Sequence, residues 1–124
     1  MELNTVRVFV RDLESAKHFY SSKLGLPVQA DGSAFGYCVF KAGRTELVVE
    51  FVGEDAPAED QRLVGRFTGL SFTVTDAEAK HRELVAIGVP FTGLPEVQTW
   101  GGVLATFQDP SGNELQIVQR PDAG

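Results

Sequence analysis

Cysteine is nearly absent. Cys38 is the only one in 124 residues, so no disulfide can form within the chain. That excludes the disulfide-stapled class of small domains and makes a reducing, cytoplasmic compartment the expectation. Cys38 lies in an apolar run and reads as a core thiol rather than a nucleophile. No apolar run approaches the ~18 residues needed to span a bilayer. Met1-Glu2-Leu3-Asn4 lacks the basic and apolar regions of a secretory signal. Positive charge is also short: 11 Lys and Arg stand against 17 Asp and Glu, a net charge of −6. Nucleic acid and anionic membranes are therefore excluded as expected partners. No nucleophile elbow, Gly-rich phosphate loop or Cys-x-x-Cys pair occurs. The only histidines, His18 and His81, carry no ligand spacing to another His, Asp or Glu. Both fall within expected helices, His18 away from the apolar stripe and His81 bordering a core.

What is present fits an ordinary globular chain of one domain, with 43% apolar and 23% charged residues. Val6, Val8 and Val10 alternate with Thr5, Arg7, Phe9 and Arg11, which predicts a strand. Asp12 caps a helix expected over about 13–24, with Ala16, Phe19, Tyr20 and Leu24 at helical spacing and Gly25 as its stop. Strands are expected over 36–41 and 45–52, joined at Ala42-Gly43-Arg44. Residues 53–66 are acidic and aperiodic and read as a connector.

Beyond the connector the first half starts again. Leu70, Phe72 and Val74 alternate with Gly69, Ser71 and Thr73, and Asp76 caps a second helix that stops at Gly88-Val89-Pro90. Asp12 and Asp76 are 64 apart and Gly25 and Gly88 are 63 apart, so a single-residue gap aligns them. Glu46-Leu47 matches Glu114-Leu115 at an offset of 68. The chain is thus an internal duplication, with module one over about 3–52 and module two over about 67–119. Each module carries a sheet with one apolar face, for its helix, and one mixed polar face. Paired around a concave surface, the mixed faces would make a ligand cleft; alternatively they simply meet water. The run Asp109-Pro110-Ser111-Gly112-Asn113 between Gln108 and Glu114 reads as a tight turn between strands.

Val8-Phe9-Val10-Arg11-Asp12-Leu13-Glu14-Ser15-Ala16, then Phe19-Tyr20 and Leu24-Gly25-Leu26, resembles the opening of the vicinal oxygen chelate superfamily. That group includes glyoxalase I, extradiol dioxygenases, fosfomycin resistance enzymes and bleomycin resistance proteins. Trp100-Gly101 followed by Phe107 to Asn113 resembles its second-half hallmark. The resemblance spans about 3–119 and implies an α+β fold: two tandem βαβββ modules forming a curved mixed sheet around a cleft. It does not imply one reaction.

Enzymes of this superfamily hold a divalent ion with His, Glu or Gln side chains, two from each half. By resemblance those positions fall at Thr5, at Gly69, at Gln116, and at either Glu50 or Val48. Thr5 and Gly69 lack the imidazole or carboxylate that such an ion wants. Glu50 and Gln116 are the residual candidates, so no metal and no cofactor are expected. Strand parity instead brings Arg7, Phe9, Glu46, Glu50, Ser71, Thr73 and Gln116 to the cleft, joined by Tyr37 and by Trp100 from a loop. Arg7 and Glu50 are placed to form an ion pair; Trp100 stacks on ligand or packs at the cleft mouth.

The reading drawn from these residues is a metal-independent small-molecule-binding protein of the bleomycin-resistance-like branch, without catalytic residues. Reversible binding would include sequestering a toxic or antibiotic compound, and the resemblance implies a homodimer. The rival is a metal-dependent lyase, isomerase or dioxygenase with a shifted metal site built from Glu46, Glu50 and Gln116. A third possibility is a partner-binding domain whose cleft is filled by Phe9, Tyr37 and Trp100.

Overall fold

In the computed structural model, which describes residues 1–121, the chain forms two four-stranded mixed sheets of identical topology. In each, the module's first strand pairs in parallel with its fourth, and the fourth, third and second follow antiparallel. This is the α+β architecture of two tandem βαβββ modules. Two units are separable: Met1–Arg66 together with the turn Pro110–Asn113, and Phe67–Asp109 together with the chain from Glu114 onward.

The first sheet holds β1 (Thr5–Val10), β2 (Val28–Gly32), β3 (Tyr37–Ala42) and β4 (Thr45–Phe51). Val8, Val10, Cys38, Phe40, Leu47 and Val49 point inward and are almost wholly buried. The helix α1 (Leu13–His18) begins where Asp12, in an extended conformation, accepts the Ser15 backbone N–H through Oδ1 at 3.1 Å. It delivers Ala16, Phe19 and Tyr20 to the core, where the Tyr20 ring sits 5.8 Å from Phe40 and 5.1 Å from Phe19. From Phe19 to Lys23 the helix widens into a π turn, in which the Leu24 N–H reaches back five residues to the Phe19 carbonyl at 3.0 Å. The sequence explains the widening. From Asp12 to Gly25 there is one residue more than from Asp76 to Gly88, and a π turn is how a helix absorbs one extra residue without rotating both ends out of register.

The second sheet holds β5 (Phe67–Thr73), β6 (Glu96–Val97), β7 (Val103–Gln108) and β8 (Glu114–Gln119). Ala105, Phe107, Leu115 and Ile117 face α3 (Ala77–Ala86), which packs on β7 and β8 through Ala77 and Leu84. Asp76 Oδ1 accepts the Ala79 N–H at 3.0 Å, repeating the cap of the first helix. Phe107 is tilted against Phe72 at 6.3 Å and Phe91 at 5.7 Å.

Three elements differ from the pattern read in the sequence. β2 was not among the strands expected from alternation, because four of its five residues are exposed and leave no apolar rhythm. β6 is only two residues long. The acidic connector contains one helical turn, α2 (Ala58–Gln61). Gln61 organises that segment: its Nε2 donates to the carbonyls of Gly53, Glu54 and Ala56, and its Oε1 accepts from Arg11. No helix among the described residues is long and apolar enough to cross a membrane.

Candidate functional site

On the first sheet, the face opposite α1 carries side chains in cross-strand rows fixed by register. One row is Tyr37, Glu50 and Phe9; the next is Val39, Val48 and Arg7; the third is Lys41, Glu46 and Thr5. Every first-module residue expected on the mixed face therefore lies there. Arg7 and Glu50 do pair, in a two-pronged bond: Nε to Oε1 at 2.7 Å and Nη2 to Oε2 at 2.8 Å. The guanidinium also lies over the Phe9 ring, 5.1 Å from its centroid. The Glu50 hydrogen bond and charge push the Arg7 pKa up. Both side chains retain water contact, so the pair contributes about 0.2–1 kcal/mol to stability and serves chiefly to fix orientation. Glu46 accepts from Gln29 Nε2 at 2.8 Å. The Tyr37 ring covers Gly32, where any Cβ would collide with it.

On the second sheet, register aligns Thr106, Gln116 and Ser71 in one row and Leu104, Val118 and Thr73 in the next. A hydrogen-bonded relay crosses three strands: Ser71 Oγ donates to Gln116 Oε1 at 3.4 Å, and Gln116 Nε2 donates to Thr106 Oγ1 at 3.2 Å. Beside the relay lies a hollow of about 310 Å³, walled by Thr92, Leu94, Glu96, Gln98, Leu104, Thr106 and Gln116. That volume is at the small end of the ~300–1,000 Å³ of ligand sites. Of these residues only Gln116 was expected from the sequence: Thr92, Leu94, Glu96 and Gln98 lie in a stretch without periodicity, and Leu104 and Thr106 lie on β7, for which no strand parity was read. Trp100 does not wall this hollow. Its ring lies across Gly102 and is about half exposed, 52%.

The two-module fold is shared with known proteins. Residues 2–117 match the profile of the Glyoxalase/Bleomycin resistance protein/Dioxygenase superfamily. This chain belongs to that superfamily. A bleomycin resistance protein of Klebsiella pneumoniae is 28% identical over 112 residues, covering 88% of this chain and 85% of that protein. The crystal structure of TnmS3, an antibiotic binding protein from Streptomyces sp. CB03234, superposes with a TM-score of 0.76. It is 28% identical and covers 98% of this chain and 97% of its own. A superfamily member from Sphaerobacter thermophilus superposes with a TM-score of 0.82 at 24% identity, covering 97% and 98% of the two chains.

The superfamily's usual metal can be tested against the donors present. Gln116 lies opposite Ser71 on the neighbouring parallel strand; the matching place in the first sheet, opposite Arg7, is held by Val48 and not Glu50. Glu50 stands two residues further along β4, with both carboxylate oxygens engaged by Arg7. Gly69 sits at φ +74° within an irregularity of β5, where the register slips between Phe67 and Ser71. A side chain there would be strained whatever its chemistry. Thr5, Val48, Gly69 and Gln116 thus offer one neutral carboxamide and one hydroxyl, a set that does not fit a divalent ion. Among the described residues no three His, Cys, Asp or Glu side chains are grouped to hold a metal elsewhere. His18 is exposed at the end of α1, and His81 packs edge-on against Phe91 at 4.6 Å.

Behind the first sheet, Lys17 Nζ donates to Asp31 Oδ2 at 3.1 Å and to Ser33 Oγ at 3.3 Å. Ser33 in turn bonds Asp31 through both its hydroxyl and its N–H. These bonds, the Ser33 hydroxyl's first, hold the Asp31 carboxyl well below the usual range. Cys38 Sγ is 3.5 Å from Asp31 Oδ1, and burial raises its pKa, which suits a core thiol.

Proposed function

We propose that this superfamily member binds a small organic molecule reversibly and without a metal ion, on the mixed polar faces of its sheets. Sequestration of a toxic or antibiotic compound is the physiological form we infer. The observation that carries this reading is the donor set Thr5, Val48, Gly69 and Gln116, with Glu50 committed to Arg7 and Glu46, opposite Thr5, bonded to Gln29. The relatives support it: one is named a bleomycin resistance protein and another an antibiotic binding protein. The faces are suited to such a ligand. Arg7 over Phe9 offers a flat stacking surface with an exposed charge, and the second sheet offers amide and hydroxyl groups beside Leu94 and Leu104.

A homodimer in the cytoplasm belongs to the same proposal. Exposed Phe35, Phe51, Leu94 and Val97 support a second copy as partner, since large apolar side chains in water favour association. Light scattering should then return twice the 13.5 kDa chain mass.

The binding test is a thermal-shift screen of aromatic and cationic drugs, bleomycin included, run with and without EDTA. A ligand at a hundred times its Kd stabilises by about 2.7 kcal/mol, a readily measured shift. The proposal expects at least one compound to raise the Tm equally in both conditions. No shift across the panel, or shifts abolished by EDTA, would count against it.

A further inference from the structure

The hollow on the second sheet has a chemistry that narrows what it takes. A carboxamide has two N–H donors and an oxygen with two lone pairs. Gln116 uses one N–H on Thr106 and one lone pair on Ser71. One N–H and one lone pair remain in the amide plane, and with Ser71 and Thr106 flanking Gln116 from its two neighbouring strands they form its outer edge. Turning the amide over exchanges which atom meets Ser71 and which meets Thr106, yet leaves the same two groups over. In either orientation the relay restrains the Gln116 amide plane and leaves a donor–acceptor edge for a third partner.

The rest of the wall adds two constraints. Among the described residues Glu96 contributes the hollow's one carboxylate, an acceptor only, and no Lys or Arg side chain lines the space. An anion entering would meet one negative charge and no positive one, in a chain already at −6. Leu94 and Leu104 supply the apolar surface that a ring would cover.

We infer that this hollow receives a neutral or basic ring whose edge carries an adjacent N–H and C=O, a lactam or ring-amide pattern, read by Gln116 through paired hydrogen bonds. The inference rests on the small-molecule reading above and adds the chemical class and the residue that selects it. Thr106 and Ser71 act as positioning residues through their bonds to the Gln116 amide. Glu96 favours ligands with a further N–H or a positive charge, and excludes carboxylates.

The test uses three probes of nearly one shape with the ¹⁵N-labelled protein: 2-quinolone, N-methyl-2-quinolone and quinoline-2-carboxylate. Titrations are followed by the Gln116 side-chain amide and the Leu104 backbone amide. 2-Quinolone should shift both signals and bind about tenfold more tightly than the N-methyl compound, which lacks the donor. The carboxylate should bind more weakly still. Gln116→Met keeps the length and removes both polar groups, so it should bring 2-quinolone down to the N-methyl level. Thr106→Val should weaken the preference by loosening the amide. If either variant misfolds, the comparison of the two quinolones on the unaltered protein still decides. Equal affinity for both quinolones, or no binding by 2-quinolone, overturns the inference. Shifts confined to first-sheet residues such as Phe9 and Val48 also overturn it. That last outcome would leave small-molecule binding itself intact, and the drug screen judges that reading separately.

Discussion

Asn113 Nδ2 donates to the Phe9 carbonyl at 2.7 Å, joining residues 104 positions apart. Its Oδ1 accepts the Gly65 N–H at 2.8 Å, and its side chain is wholly buried. The turn Pro110–Asn113 therefore belongs to the unit built from the first module. Beside it the Arg11 N–H donates to Ser111 Oγ at 2.9 Å. Replacing Asn113 by Ala takes a hydrogen bond from each of two part-buried backbone groups, the Phe9 carbonyl and the Gly65 N–H, at about 1–2 kcal/mol each. Asn113→Ala should lower the unfolding free energy by roughly 2–4 kcal/mol in urea titrations. A loss under about 0.5 kcal/mol, the scale of ordinary surface changes, would show these bonds to be incidental.

Trp100 and Gly102 are coupled by contact. A Cβ at position 102 would strike the indole ring, so Gly102→Ala should push the ring off its seat and further into water. Tryptophan fluorescence, which Trp100 alone supplies, should shift to longer wavelength. Trp100→Ala itself should cost little stability, because the ring is half exposed. A steep fall in Tm would instead make Trp100 part of the core.

Acid should release the cluster at Asp31. A carboxyl whose pKa is lowered on folding stabilises the native state fully above its unfolded value of about 3.9. That stabilisation fades as pH falls through the lower folded value. Asp31→Asn should therefore flatten the decline of Tm below about pH 4 relative to the unaltered protein, while differing least in shape at neutral pH. Parallel acid limbs for the two proteins would show that Asp31 is not held by Ser33 and Lys17 in solution.

The π turn predicts a tolerated deletion. Removing the exposed Ser22 equalises the two helices from cap to stop and should convert Phe19–Lys23 to regular α-helix. The deletion variant should fold, with a Tm within a few degrees of its parent. Failure to fold would mean that the wide turn itself is needed to seat Phe19 and Tyr20.

Much of the fold was legible because it is written twice. Alternation marked β1, β4, β5 and β8, and the paired caps Asp12 and Asp76 fixed both helix starts. β2 and β6 were not, since an exposed edge strand and a two-residue strand leave no period. Parity put Arg7, Glu50, Ser71 and Gln116 on the mixed faces. The choice between Val48 and Glu50 stayed open in the sequence because the hairpins differ in length. Gly43 and Arg44 join β3 to β4, whereas 109–113 join β7 to β8, so counting from the turn misleads. Only the ladder, Val48 opposite Arg7 and Gln116 opposite Ser71, resolves it. The loop residues Thr92, Leu94 and Glu96 reach the hollow through tertiary placement, for which sequence offers no local signal.

Metal content tests the central claim most directly. The purified protein and its Glu50→Gln variant are incubated with Zn²⁺, Ni²⁺, Mn²⁺ and Fe²⁺, desalted, and submitted to elemental analysis. Because the donors at the family's metal position are few and neutral, less than about a tenth of an equivalent per chain is expected in both. About one equivalent in the unaltered protein, lost in Glu50→Gln, would contradict it and place a metal where Arg7 now holds the carboxylate.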